Sequence, residues 1–178
     1  GALGVDNIHS TATMTLPELE KSLGFSLGAK YVVATFHPVT TQPGEEEKQT
    51  AALLSALGKI IAEGYKILFT MPNSDTGGKK VAALIQEWSL RHTESVTAVG
   101  SLGRVRYYSA LAHAAAVVGN SSSGLIEAPS FGIPTLNIGD RQKGRARGAS
   151  VIDTDTSEDG IAAGLATVLS AEFRTKAA

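Results

Sequence analysis

A chain of 178 residues, 43% of them hydrophobic, carries enough apolar material for one globular domain with a substantial core, and nothing in it calls for a second. Its formal net charge of −1 excludes the strongly basic face of a nonspecific nucleic-acid binder. The lack of cysteine excludes disulfides and cysteine-ligated metal sites and agrees with a cytoplasmic setting, while the four histidines are scattered without metal-binding spacing.

No uninterrupted apolar run approaches the roughly twenty residues that span a bilayer. The first residues show neither the charged start nor the apolar stretch of a signal peptide. Residues 31–36 form a compact apolar run ending at His37-Pro38, and 45–63 follow with helical spacing through Leu53, Leu54, Leu57, Ile60 and Ile61. Residues 66–71 repeat the strand signal and 72–78 read as a loop. Val81, Leu84, Ile85 and Trp88 then form the buried stripe of another helix. Further on, 96–99 predict a strand, 104–115 a helix, 116–118 a strand, 124–130 a helix and 134–138 a strand. Residues 151–153 and 160–169 complete a last strand–helix pair. Such alternation needs crossovers, which predicts an α/β fold: a Rossmann-like parallel sheet with helices on both faces.

Open sheets of this kind place ligands in the crevice beyond the carboxyl ends of their strands. The polar candidates gather there. His37 follows the first strand, Asn73 and Asp75 the second, Leu102 the third, Ser121 the fourth and Arg141 the fifth. Gly77-Gly-Lys-Lys80 does not make a phosphate loop, because the required spacing needs Gly at 73 and Ser or Thr at 80, where Asn73 and Lys80 stand. The turn after the first strand lacks G-x-G-x-x-G, so no dinucleotide cofactor is expected.

The densest chemistry lies in residues 117–145: a short strand, a Ser-rich helix start, Glu127, a second strand and a basic loop. A strand entering a helix N-terminus offers unpaired N–H groups to an anion, and the hydroxyls of Ser121, Ser122 and Ser123 stand at that mouth. Glu127, about one turn further in, can accept hydrogen bonds from sugar hydroxyls. Phosphate and sugar recognition together suggest a nucleotide. In a generic chain the same residues mark a Ser-capped helix crossing a sheet, with Arg141 and Arg145 solvated. His37 at a loop start, and Asn73 and Asp75 in a Pro-Asn-Ser-Asp turn, have equally plain readings as polar surface and turn formers.

Asn120-Ser-Ser-Ser-Gly124, Glu127-Ala-Pro-Ser-Phe-Gly132 and Arg141-Gln-Lys-Gly-Arg145 resemble the C-terminal domain of UDP-N-acetylglucosamine 2-epimerases. The likeness extends from Gly1-Ala-Leu-Gly-Val-Asp-Asn-Ile8 through His37-Pro-Val-Thr40 and Pro72-Asn-Ser-Asp75. The non-hydrolysing branch carries Asp-Ser-Gly-Gly where this chain has Asn120 to Ser123, so the chain is most similar to the hydrolysing, sialic-acid-pathway branch.

The resemblance implies one half of a glycosyltransferase-B-like two-domain fold, with residues 1–178 as the UDP-binding C-terminal domain and the N-terminal domain absent. It implies that His37 contacts the diphosphate and assists catalysis. Asn73, Asp75, Ser121, Ser122, Glu127, Arg141 and Arg145 would hold UDP, and main-chain groups around Ser101 and Leu102 the uracil. No metal or other cofactor is implied. The expected partners are a UDP-sugar, the missing domain and, in the full enzyme, further copies of itself; nucleic acid and membrane are not expected. Alone, the domain would be inactive. The non-hydrolysing reaction, a glycosyltransferase donor domain and a non-catalytic nucleotide sensor are the alternative functions.

Overall fold

The computed structural model describes residues 11–37, 44–72 and 76–178. Six parallel strands form one sheet: β1 (Tyr31–Thr35), β2 (Lys66–Thr70), β3 (Val96–Val99), β4 (Ala116–Gly119), β5 (Thr135–Ile138) and β6 (Val151–Thr154). Their spatial order is β3-β2-β1-β4-β5-β6, the doubly wound order in which the chain reverses its direction of travel between β1 and β4. Register pairs Val32 with Ile67 on one side and with Ala116 on the other.

Every residue of β1 is buried, as a central strand covered on both faces requires. Alternate side chains then feed two cores. Val32 and Ala34 join Phe69, Leu136 and the buried stripes of α2 (Glu45–Ala62), α3 (Thr76–Leu90) and α6 (Glu158–Val168). Tyr31 and Val33 join Leu68 and Val117 beneath α1 (Leu16–Leu23) and α4 (Gly103–His113). Trp88 anchors the first core, its ring edge-on to Phe69 with centroids 6.0 Å apart.

The strands and long helices lie where the hydrophobic pattern predicts them. Two helices have no counterpart in that reading. α1 carries a capping box in which Thr15 Oγ1 accepts from Glu18 N while Glu18 Oε1 accepts from Thr15 N. α7 (Ala171–Ala177) is capped by Ser170, and Phe173 packs against the first core. Helix α3 begins at Thr76, inside the stretch read as loop.

A larger correction concerns the helix expected over 124–130. It is two single turns, α5 (Ser123–Ile126) and a 3-10 turn (Ala128–Phe131), broken at Glu127. Pro129 has no N–H to continue the α ladder and its ring crowds the preceding turn, so the chain tightens there and ends at Gly132 with φ +68°. The dipole of a single turn is small. Whatever α5 offers an anion comes from individual N–H and O–H groups.

Candidate functional site

The crevice opens where β1 and β4, adjacent in the sheet, send the chain away in different directions. Gly119 makes the close approach possible: its φ is +139°, and a Cβ there would stand 1.8 Å from Thr35 O. Asn120 follows and is 1% exposed. Its Oδ1 accepts from His37 N at 2.8 Å and its Nδ2 donates to His37 O at 2.9 Å. Its own carbonyl accepts from Arg141 Nη1 at 3.1 Å and Gln142 Nε2 at 2.9 Å. One buried side chain and its peptide group thus tie together the ends of β1, β4 and β5.

Above this junction lies a cleft of about 530 Å3, within the range of small-molecule sites. His37, Leu102, Ser121 and Glu127 line it, so four residues selected from sequence converge. Arg141 reaches the same junction through its bond to the Asn120 carbonyl. Ser122 does not line the cleft; it is the N-cap of α5 and makes no side-chain capping bond. Arg145 lies in a separate depression of about 550 Å3 beside Lys143, Arg147 and Asp155. Asn73 and Asp75 lie outside the described residues.

The loop after β3 is held by Arg106, a residue not singled out from sequence. Its Nε donates to Leu102 O at 3.0 Å and its Nη2 to Ser101 O at 3.3 Å. This fixes the loop and leaves N–H groups, rather than these carbonyls, for a ligand edge. Arg147 plays a similar part in the basic loop, donating to Gln142 O at 2.6 Å and pairing with Asp153.

Ser123, which opens α5, lines the cleft beside Ser121, whereas Tyr107 and Tyr108, from α4, were not singled out from sequence. The Tyr107 and Ser123 hydroxyls are hydrogen-bonded, and the Tyr108 hydroxyl faces the Glu127 carboxylate. Burial, then the charge of Glu127, pushes the Tyr107 hydroxyl up to about 12; burial, then the hydrogen bond to Glu127 and its charge, raises Tyr108. Both remain protonated donors at neutral pH. The i, i+1 tyrosines read as ordinary helix residues, and only the packing of α4 against α5 brings them to the cleft. Asn120 was equally hidden, because its partner is 83 residues away.

The Ser121 hydroxyl oxygen accepts from Ser123 N at 3.3 Å, which leaves the Ser121 proton available to donate. The cleft therefore offers one carboxylate, several hydroxyl donors, an imidazole and the guanidinium of Arg104, with that of Arg141 alongside. That set suits a ligand with sugar hydroxyls at one end and an anion at the other. Among the described residues no group of three or more His, Asp or Glu stands close enough to hold a metal ion. No helix among them is long and apolar enough to cross a membrane.

Comparison with known proteins gives a consistent picture. A family model described as UDP-N-acetylglucosamine 2-epimerase matches residues 1–178. The polysialic acid biosynthesis protein P7 of Escherichia coli is 38% identical over 169 residues, covering 93% of this chain and 41% of that protein. A UDP-N,N'-diacetylbacillosamine 2-epimerase (hydrolyzing) from Legionella pneumophila is 35% identical over 165 residues, covering 93% and 42%. The crystal structure of UDP-GlcNAc 2-epimerase from Neisseria meningitidis bound to UDP-GlcNAc superposes with a TM-score of 0.65 at 14% identity, covering 90% of this chain and 42% of that one. The chain spans about two-fifths of the length of the relatives it matches.

Proposed function

Since the chain belongs to the UDP-N-acetylglucosamine 2-epimerase family, we propose that it forms the UDP-holding half of such an enzyme, and that the enzyme is of the hydrolysing kind. The reaction is UDP-GlcNAc plus water to N-acetylmannosamine and UDP. The observation that carries the reading is the convergence of His37, Ser121 and Glu127 on one cleft at the β1/β4 switch point. The Ser-rich run after β4 and the hydrolyzing relative from Legionella favour the hydrolysing outcome.

In that chemistry UDP leaves C1 as the C2 proton is lost, giving a 2-acetamidoglucal, and water then adds across the double bond. Negative charge grows on the diphosphate as it departs, and this half acts by stabilising it. His37, with its main chain clamped by Asn120, donates a proton or hydrogen bond to the β-phosphate. Ser121 and Arg141 add a hydroxyl and a fixed positive charge. Glu127 accepts from the ribose. The groups that move the C2 proton belong to the other half. Asn73, Asp75, Ser122 and Arg145 join the UDP site in this reading, as the motifs imply.

A diacetamido sugar in place of N-acetylglucosamine is the second reading, favoured by the substrate in the Legionella relative's name. Incubation of the full-length enzyme with each UDP-sugar tests both. Free UDP with the free 2-epimer supports the hydrolysing reaction. The UDP-linked 2-epimer supports the non-hydrolysing one, and no turnover leaves nucleotide binding as the only function.

A further inference from the structure

Ser123 and Glu127 stand one helical turn apart, joined by the 2.9 Å bond from Glu127 N to Ser123 O, so their side chains emerge on one face. Both line the cleft, and Tyr107 lines it from α4. The Tyr107 and Ser123 hydroxyls are hydrogen-bonded to each other. Two hydroxyls hold two protons and use one in the bond between them. The other finds no acceptor among the described residues.

The phenol is the stronger acid and so the better donor, which makes Ser123 the acceptor within the pair and leaves the Ser123 O–H unused. Ser123 is 7% exposed, and a buried O–H without an acceptor is costly. Burial and the neighbouring carboxylate keep Tyr107 protonated at neutral pH, so the pair retains both protons.

The character of the missing acceptor follows from Glu127. An ionised carboxylate only accepts, so a phosphate oxygen placed between it and Ser123 meets a like charge. A ligand hydroxyl meets none: it gives its proton to Glu127 and keeps lone pairs for a donor. We propose that the Tyr107–Ser123 pair donates to a ribose hydroxyl whose own proton Glu127 accepts, with Ser123 as a binding residue and Tyr107 as the positioning residue behind it. The inference deepens the nucleotide reading above and rests on it. It adds a donor to the ribose subsite, so that a ribose hydroxyl is recognised through both its proton and its oxygen.

The test is an NMR titration of the chain with UDP and with 2′,3′-dideoxy-UDP, using the unaltered protein, Ser123→Ala, Tyr107→Phe, the double variant and Glu127→Gln. The unaltered chain is expected to prefer UDP. Each single variant at 107 or 123 should cut that preference about three- to tenfold, the scale of one neutral hydrogen bond. The dideoxy affinity should hold, and the double variant should lose no more than Ser123→Ala alone. Parallel losses for both ligands, or additive losses in the double variant, overturn the inference. If Glu127→Gln abolishes the preference while Ser123→Ala and Tyr107→Phe keep it, the pair is excluded and the ribose site stands. If the unaltered chain shows no preference, the ribose reading of Glu127 falls first and takes the pair with it.

Discussion

Asn120 closes a two-bond ring with the main chain of His37, its Oδ1 taking the His37 N–H at 2.8 Å and its Nδ2 giving to the His37 carbonyl at 2.9 Å. An asparagine is the right residue here because one planar amide supplies an acceptor and a donor in the spacing of a peptide group. The ring replaces the ladder bonds that end where β1 and β4 diverge, and it sets His37 relative to the serines that follow Asn120. Asn120→Ala removes two hydrogen bonds to the half-buried His37 main chain, each worth about 0.5–1.5 kcal/mol. Urea denaturation should show a loss on that scale. A loss below about 0.5 kcal/mol, the level of ordinary surface substitutions, would mean that the ring contributes little.

Gly119 is the hinge on which that ring depends. A methyl group there meets Thr35 O at 1.8 Å and C at 2.7 Å, both main-chain atoms of the central strand that cannot swing aside, and the φ of +139° is itself unfavourable for alanine. Gly119→Ala is expected to cost about 3–5 kcal/mol, in the range reserved for severe backbone conflicts. A urea midpoint close to that of the unaltered chain would show that β1 and β4 tolerate wider separation than their register implies.

The architecture was legible in sequence where local pattern decides it. The all-apolar runs of β1 and β4 and the stripe through Val81, Ile85 and Trp88 are properties of short windows, and helix–strand alternation restricts the topology to a few choices. α1 was missed, although Thr15-Leu-Pro-Glu18 is a capping box with Pro in the first turn, because its eight residues carry only a short apolar stripe. The site was legible only in its polar motif residues. Asn120 stood in the sequence only as the first residue of the Asn-Ser-Ser-Ser-Gly motif, because its role exists only once β1 lies beside β4. Tyr107 and Tyr108 read as helix filling, because α4 shows no hydrophobic pattern that marks a ligand-facing side. The single helix expected after Ser123 failed on Pro129, whose missing N–H the apolar pattern does not register.

The tyrosines also set an alkaline limit on stability. Burial raises the hydroxyls of Tyr31, Tyr107 and Tyr108 above the ordinary value of 10.0. The unfolded chain ionises these groups near that value while the folded chain resists. Their stabilising contribution is therefore intact below pH 10 and is lost as pH rises; for Tyr107 the loss runs until about pH 12. Tyrosinate absorbance followed with unfolding should show these rings titrating together with loss of structure. Tyr107→Phe should remove its share of the slope. A flat stability profile from neutrality through this range would contradict the burial of these hydroxyls.

Glu127 is the residue whose removal should be most selective. It lines the cleft, its protein partner there is the Tyr108 hydroxyl, and it makes no ion pair within 4.0 Å among the described residues, which supports the ribose role proposed for it. Glu127→Gln should weaken UDP binding by about 1.5–3 kcal/mol, the scale of a hydrogen bond to a charged group, and hardly change the affinity for 2′,3′-dideoxy-UDP. Equal losses for both ligands, measured by calorimetric titration, would make Glu127 a structural residue.

Ser121 and Ser122 separate helix capping from anion binding. Their structural duties are unequal: Ser121 Oγ accepts the Ser123 N–H at 3.3 Å, whereas the Ser122 hydroxyl caps nothing. Ser121→Ala should therefore lower stability by about 0.5–1 kcal/mol, toward the low end for a cap, because the bond is long. Ser122→Ala should stay within about 0.5 kcal/mol. If either hydroxyl also holds a phosphate, its removal lowers affinity for UDP and leaves uridine nearly unchanged. Ser121, which lines the cleft, should show this split most clearly. A stability-neutral Ser122→Ala that still loses UDP affinity would assign that hydroxyl to the ligand, since it gives up no side-chain hydrogen bond among the described residues. An unchanged ratio of UDP to uridine affinity in both variants would remove the two serines from the site and leave His37 and Arg141 as the diphosphate contacts.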